Sequence, residues 1–147
     1  MSLLEEITRD MNAAAKAGEK LKLSTLRLFI SAIKYKEKDN RAPLQDEDIQ
    51  QIATTLVRQR LDSVEQFTKG GRMDLAEHEA QEIEYLKAYI PAQLSVDEVR
   101  DIIKKTAAEI QASGIKDMGK LMKAVMPHVK GKADGKLVND IVKEILS

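Results

Sequence analysis

Two neighbouring stretches decide the fold: DMGKLMKAVMP at residues 117–127 and GKADGKLV at residues 131–138. Their apolar residues recur at intervals of three and four, the spacing of one face of an α-helix. The stretches therefore predict two short helices joined by a basic glycine turn. Between Lys116 and Lys136, six lysines stand against two aspartates. This excess of positive charge suits an anionic partner better than it suits covalent chemistry.

The same helical spacing of apolar residues runs through nearly the whole chain. Pro91 ends the fourth predicted helix, because the residue before a proline avoids helical backbone angles. Ser95 and Glu98 form a capping box, which opens the fifth helix. The sequence therefore predicts an all-α protein. We expect an N-terminal four-helix unit over residues 1–93, followed by a small C-terminal three-helix domain over residues 94–147.

Polar residues and glycines predict where these helices begin and end. Asp46, Asp117 and Asp134 are expected to be N-caps, and Gly114 is expected to close the fifth helix. A tight turn at residues 69–72 predicts that the third and fourth helices form an antiparallel hairpin. The second helix is apolar around much of its circumference, which predicts a central position, and it should end in a polar loop over residues 36–43. Its apolar residues are Leu23, Leu26, Leu28, Phe29, Ile30 and Ile33.

The amino-acid composition limits the classes of protein to which this chain can belong. A chain of 147 residues can bury one ordinary core or two small ones, and 43% apolar with 33% charged residues is typical of a globular protein. It contains no cysteine, which excludes disulfides, thiolate metal sites and thiol nucleophiles. The first residues are acidic rather than a signal sequence, and no apolar run approaches a membrane span. We therefore expect a cytoplasmic protein without a membrane anchor.

Charge is unevenly distributed along this formally neutral chain. Residues 1–41 hold nine Lys and Arg against six Asp and Glu, residues 42–101 hold six against thirteen, and residues 102–147 hold nine against five. One interpretation is ordinary solvated helix faces. The other is that the basic tail and the basic first helices meet an anion, while the acidic middle does not. The sequence leaves both open.

No arrangement of side chains predicts catalysis, a cofactor or a metal. His78 stands among glutamates, and His128 follows a proline in the basic stretch, so neither has the converging ligands of a metal site. The serines lack the surroundings of an activated nucleophile. Residues 131–137 fail the spacing of a phosphate loop and follow no strand. The sequence also allows a phosphate to bind at the N-terminus of the seventh helix, although Asp134 is expected to occupy the same N–H groups.

Over its whole length, the chain resembles the GatB/YqeY family, specifically its stand-alone YqeY-like members. Essentially the whole chain is covered. The most specific pieces are residues 58–63 (RQRLDS), 71–75 (GRMDL), 89–95 (YIPAQLS) and 118–138. The chain departs from the family in one place: Gln45 stands before the third helix, where Ser or Thr is common.

The resemblance implies a link to tRNA. The C-terminal part is similar to the tail domain of the B subunit of the tRNA-dependent Asp/Glu amidotransferase, where the tail is associated with tRNA contact and not with amide transfer. Our first hypothesis is a non-catalytic protein that engages structured RNA, above all tRNA, or a tRNA-handling enzyme. The alternatives are a protein-interaction adaptor and a carbon–nitrogen ligase with glutamine as nitrogen donor. The predicted RNA-binding residues are Lys116, Lys120, Lys123, Lys130, Lys132 and Lys136.

Overall fold

A computed structural model describes all 147 residues, and its regular secondary structure is helical throughout. The prediction of an all-α protein is therefore confirmed. None of the helices is both long and apolar enough to cross a lipid bilayer. The α-helices are α1 Leu3–Ala17, α2 Lys20–Asn40, α3 Asp46–Lys69, α4 Met73–Lys87, α5 Val96–Ile110, α6 Met118–Val129 and α7 Gly135–Leu146, with a 3₁₀ turn at Ile115–Asp117 before α6.

The first four helices share one hydrophobic core. Helix α1 packs on α2, and α3 packs along α4 across the turn at residues 70–72, as the sequence predicted. The chain after α4 is tied to α1 by the Tyr89 hydroxyl, which donates a 2.7 Å hydrogen bond to the Asp10 carboxylate. Burial and this carboxylate raise the pKa of Tyr89, so the hydroxyl keeps its proton. The core residues are Leu3, Ile7, Leu26, Phe29, Ile33, Ile49, Ala53, Leu86 and Tyr89.

A second, separate core lies among α5, α6 and α7. Helix α6 contributes one side of its surface at intervals of four residues, and α7 crosses both α5 and α6. Ser95 accepts a hydrogen bond from the Glu98 N–H while the Glu98 carboxylate accepts one from the Ser95 N–H, so the predicted capping box is confirmed. The buried residues of this core are Val99, Ile103, Ala107, Leu121, Val125, Val129, Ala133, Val138, Ile141, Val142 and Leu146.

Several predicted helix ends are wrong in detail. Helix α3 begins at Asp46, so Gln45 occupies the cap position, and Asp46 instead accepts a hydrogen bond from the Leu3 N–H. The carboxylate of Asp117 does not cap α6; it accepts from the Ser113 N–H. Helix α5 ends well before Gly114, with Gln111 as its left-handed residue. Short polar side chains near a helix end have several backbone donors within reach, so spacing alone does not select among them.

Helix α2 departs from the prediction at its end and on one side. It continues to Asn40, where the sequence predicted a loop from residue 36. It contacts α1, α3 and α4, as a central helix should. One apolar side nevertheless remains uncovered: Leu28 is 56% exposed and Tyr35 is 74% exposed. The apolar circumference of α2 therefore exceeds what this chain buries.

Candidate nucleic-acid interface

The predicted RNA-binding lysines divide into one that is engaged and five that are free. Lys116 precedes α6, and Lys120 and Lys123 follow one and two turns later on its exposed side. Lys132 lies in the turn between α6 and α7, and Lys136 lies in the first turn of α7. All five are exposed, and none is within ion-pairing distance of a carboxylate. We call these five lysines the basic edge; they are spread along α6 and through the α6–α7 turn to the first turn of α7.

Lys130 is different, because its ammonium forms an ion pair with Asp48 of α3. Burial alone would raise the pKa of the Asp48 carboxyl. The contact with Lys130, the hydrogen bond from the Gln45 N–H and the positive charge of Lys36 outweigh burial and hold this pKa below its ordinary value. Asp48 is therefore ionised at neutral pH, and Lys130 is committed to an internal partner.

The start of α7 is likewise engaged by α3. Asp134 occupies the cap position, but its carboxylate makes no capping hydrogen bond. It lies 2.7 Å from the Nε atom of Arg58, and this atom is buried and has no hydrogen bond of acceptable geometry, so the contact is ionic. The predicted cap position of Asp134 is therefore confirmed, but the capping hydrogen bond is not formed. A phosphate at this helix end would meet a carboxylate beside it, which disfavours the site.

Backbone contacts complete the attachment of this turn, which we call the tail turn (residues 130–134). The Gly131 N–H donates a 3.0 Å hydrogen bond to the side-chain oxygen of Gln51 on α3. The Gly131 carbonyl accepts one from the side chain of Gln93, and the Lys132 carbonyl accepts one from the Leu94 N–H. The tail turn therefore lies between α3 and the segment that joins the two groups of helices.

Neither histidine lies in a catalytic arrangement. His78 is exposed on α4, and His128 borders a shallow depression between α5 and α6 with Lys105 and Glu109. Burial and the neighbouring Glu82 raise the pKa of Glu79, which lies beside the ion pair between Arg60 and Glu82. No three His, Asp or Glu side chains converge closely enough to hold a metal ion. Of these groups, the ion pair between Arg60 and Glu82 joins α3 to α4.

The structure also forms a cleft that sequence reasoning missed. It has a volume of about 540 Å³ and lies between α2 and α3, with Lys130 of the tail turn at one end. Tyr35 and Lys36 border it on the α2 side. The available signal was the seven-residue spacing of Leu28 and Tyr35, which places both on one side of α2, outside its buried stripe.

Comparison with models of known protein families identifies the family of this chain. The YqeY family model, described as Yqey-like protein, matches residues 4–146. This chain belongs to the YqeY-like family. The match covers both groups of helices of this YqeY-like protein, including the basic edge and the cleft.

Similar curated proteins come from fungi. This YqeY-like chain is 32% identical to an uncharacterized protein of Schizosaccharomyces pombe over 60% of the chain and 72% of the relative. It is 36% identical to Altered inheritance of mitochondria protein 41, mitochondrial, of Lachancea thermotolerans, over 69% of the chain but only 54% of the relative. The protein of that name in Pyrenophora tritici-repentis is 25% identical over 98% of the chain and 81% of the relative.

Proposed function

We propose that this YqeY-like protein is a non-catalytic RNA-interacting protein whose C-terminal helices contact the backbone of a structured RNA, above all tRNA. One observation carries the proposal: five lysines along α6, the α6–α7 turn and the start of α7 are exposed and have no carboxylate partner. Phosphate contacts from lysine supply most of the affinity for nucleic acid and do not require a shaped pocket. The basic edge has the composition of such a surface.

Recognition through the backbone also fits the composition of the chain. Aromatic residues make up 3% of the sequence, and the tail (residues 94–147) contains none. Recognition of single-stranded RNA depends on aromatic platforms, whereas folded RNA can be bound through its shape and its phosphates. The basic edge therefore favours a folded RNA.

Replacing Lys116, Lys120, Lys123 and Lys136 together with glutamine should weaken tRNA binding roughly 10- to 100-fold at low salt. Each phosphate contact contributes about 0.7–0.9 to the slope of log K against log salt, so the slope should fall by about 3. Lys130 is kept, because its loss would also break the contact with Asp48. Filter binding across a salt series measures both quantities.

A variant with the same change in net charge is the control. Replacing Lys16, Lys20, Lys69 and Lys87, all exposed and all outside the tail, should leave tRNA binding close to that of the wild type. Both variants should keep the far-UV circular dichroism of the wild type, because no altered side chain is buried. If the two variants lose the same tRNA affinity, binding depends only on the net charge of the protein. Undiminished binding by the tail variant would rule out the basic edge as the RNA site.

We further expect the isolated protein not to hydrolyse glutamine or ATP and not to amidate charged tRNA. The chain has no cysteine, and its serines lie on helices, at caps or, for Ser113, in the loop after α5. Isotope-based turnover assays with the purified protein check this expectation. Turnover that is lost on mutation of one Ser, His or acidic residue would instead support the ligase hypothesis.

We propose a cytoplasmic site of action, because a chain without cysteine fits a reducing compartment. The names of two of the fungal relatives assign those proteins to mitochondria. Fractionation of cells that express the tagged full-length protein distinguishes the two compartments.

A further inference from the structure

Helix α2 has a second apolar strip that no part of this chain covers. Leu28 and Tyr35 are separated by about two turns and lie on one side of the helix. Their side chains are 56% and 74% exposed, while Leu26, Phe29 and Ile33 on the other side are fully buried. Large exposed apolar side chains are ordinary when scattered, but a row beside a cleft indicates an interaction surface.

The strip continues into the cleft between α2 and α3, and we call the two together the α2–α3 groove. Four apolar side chains from α2, α3 and the intervening loop line its interior. A groove between two helices that exposes aliphatic side chains is the form of surface that receives the apolar face of a third helix. The four lining residues are Ala32, Leu44, Ile52 and Leu56.

The charges around this groove are predominantly positive. At its end, Lys36 and Lys130 share the single carboxylate of Asp48, so one positive charge is left without a partner. Asp39 is the exposed carboxylate of α2 and lies one turn after Tyr35 on the same side. Glu37 is half-buried and accepts a hydrogen bond from the Leu44 N–H. Two further cations of α2, Arg27 and Lys38, are exposed and form no ion pair. Lys34 instead borders a depression with Arg9 and Lys16 of α1.

We propose that the α2–α3 groove binds an acidic amphipathic α-helix of a partner protein. The apolar residues of that helix, at spacings of three, four and seven, would cover Leu28 and Tyr35 and enter the cleft. Its flanking Asp and Glu residues would face the unpaired cations of α2. Such complementarity of charge around an apolar centre sets the orientation of the partner and accelerates its association. This surface lies on α2 and α3, so the inference does not depend on RNA binding by the tail.

Two other occupants fit the groove less well. RNA would find one exposed aromatic ring over an aliphatic interior, which provides little stacking. A second copy of this chain would have to offer an acidic helix. The exposed side of α4 carries Glu77, Gln81 and Glu84 in one line, without the apolar row that the groove requires.

A synthetic helical peptide tests the proposal. The probe has 18 residues, with leucines at positions i, i+3, i+4 and i+7 and glutamates on both flanks. One comparison peptide replaces the glutamates with lysines, and another scrambles the same composition. We expect the full-length protein to bind the acidic peptide at least tenfold more tightly than either comparison peptide, as measured by fluorescence anisotropy. NMR shift changes on binding should map to α2 and α3.

Substitutions within the groove provide the decisive comparison. Leu28→Gln combined with Tyr35→Gln should weaken binding of the acidic peptide at least tenfold, and Lys36→Gln should weaken it and reduce its salt dependence. Leu61→Gln is the matched control. Leu61 is 54% exposed but lies about two and a half turns from Ile52, on the opposite side of α3. The Leu61→Gln substitution should leave binding of the acidic peptide unchanged.

Several outcomes would overturn the proposal. One is no binding of the acidic peptide at millimolar concentration, and another is equal binding of the scrambled peptide. A third is that the groove variant and the Leu61→Gln variant lose the same affinity for the acidic peptide.

Two further results would assign the groove to another occupant. If single-stranded RNA displaces the peptide and its binding depends on Tyr35, the groove belongs to nucleic acid. A wild-type dimer in sedimentation that the groove variant dissociates would assign it to a second copy. The variant with four tail lysines replaced should bind the peptide normally, which separates this inference from the proposed function.

Discussion

Replacing Leu121 with alanine should unfold the C-terminal helices while the N-terminal helices stay folded. Leu121 is fully buried in the core of α5, α6 and α7, and truncation of a buried leucine costs about 2–5 kcal/mol. A core formed by roughly 50 residues has little stability to spare. Replacing Phe29 with alanine should cost about 3–5 kcal/mol, but in the N-terminal core.

The distribution of tyrosines makes the two cores separately observable. Tyr35 lies in α2, Tyr85 lies in α4 and Tyr89 lies just after α4 in the N-terminal core, and the chain has no tryptophan. Tyrosine fluorescence therefore reports on the N-terminal core alone, whereas far-UV circular dichroism reports on every helix. In the Leu121→Ala variant, circular dichroism should show an early transition that tyrosine fluorescence lacks. In the Phe29→Ala variant, the fluorescence transition should move to lower temperature.

The wild-type protein and an exposed substitution, Ala108→Ser, are the controls for these melts. Coincident transitions of both signals in both core variants would contradict the division at residues 93 and 94. The chain would then unfold as one cooperative body, and the two cores would be parts of a single domain.

Gly131→Leu should detach the tail turn from α3. Gly131 has a φ angle of +78°, which costs other residues about 1–2 kcal/mol. A Cβ atom there would lie 3.0 Å from the side-chain oxygen of Gln50 and 3.3 Å from its Cβ atom, so a larger side chain would force the turn away. The hydrogen bond to Gln51 and the ion pairs of Lys130 and Asp134 would be lost with it.

Gly114→Leu is the matched control for this substitution. Gly114 also lies in the tail with a φ angle of +79°, but a Cβ atom at this position would have no neighbouring atom within 4 Å. It should carry backbone strain of its own, because a ψ angle of 165° places Gly114 in a region essentially confined to glycine, but it should not separate the tail from α3. Because the chain lacks cysteine, spin labels at Gln66→Cys and Lys143→Cys give a distance free of background. That distance should lengthen or broaden in Gly131→Leu only; equal change in both variants would show that strain, and not contact with α3, holds the tail.

The attachment of the tail turn should also depend on pH. The pKa of Asp48 lies below its ordinary value of 3.8 in the folded protein, so its ionised form stabilises the attachment. This contribution is complete above the ordinary pKa and is lost as the pH falls through the lowered one. The spin-label distance should therefore be constant near neutrality and change below about pH 4. Asp48→Asn should remove much of this pH dependence, and an unchanged transition would assign it to other carboxylates.

The helices and most of their buried faces could be predicted from sequence, because helical periodicity and capping are local properties. The helix over residues 118–129 and the capping box at Ser95 are confirmed. Helix ends were less predictable, since the carboxylates of Asp117 and Asp134 each have more than one donor within reach. The membership in the YqeY-like family followed from motifs spread over the whole chain.

By itself, the sequence determined that the chain is helical, where its apolar stripes lie and that its C-terminal part is basic. Only the tertiary structure decided which lysines are available. Lys130 and Lys132 belong to the same turn, yet one is paired with Asp48 from a distant part of the chain, and the other is exposed. Likewise, the exposure of Leu28 and Tyr35 depends on where α3 packs. Local spacing specifies helices, but pairing and burial depend on residues that folding brings together from distant positions.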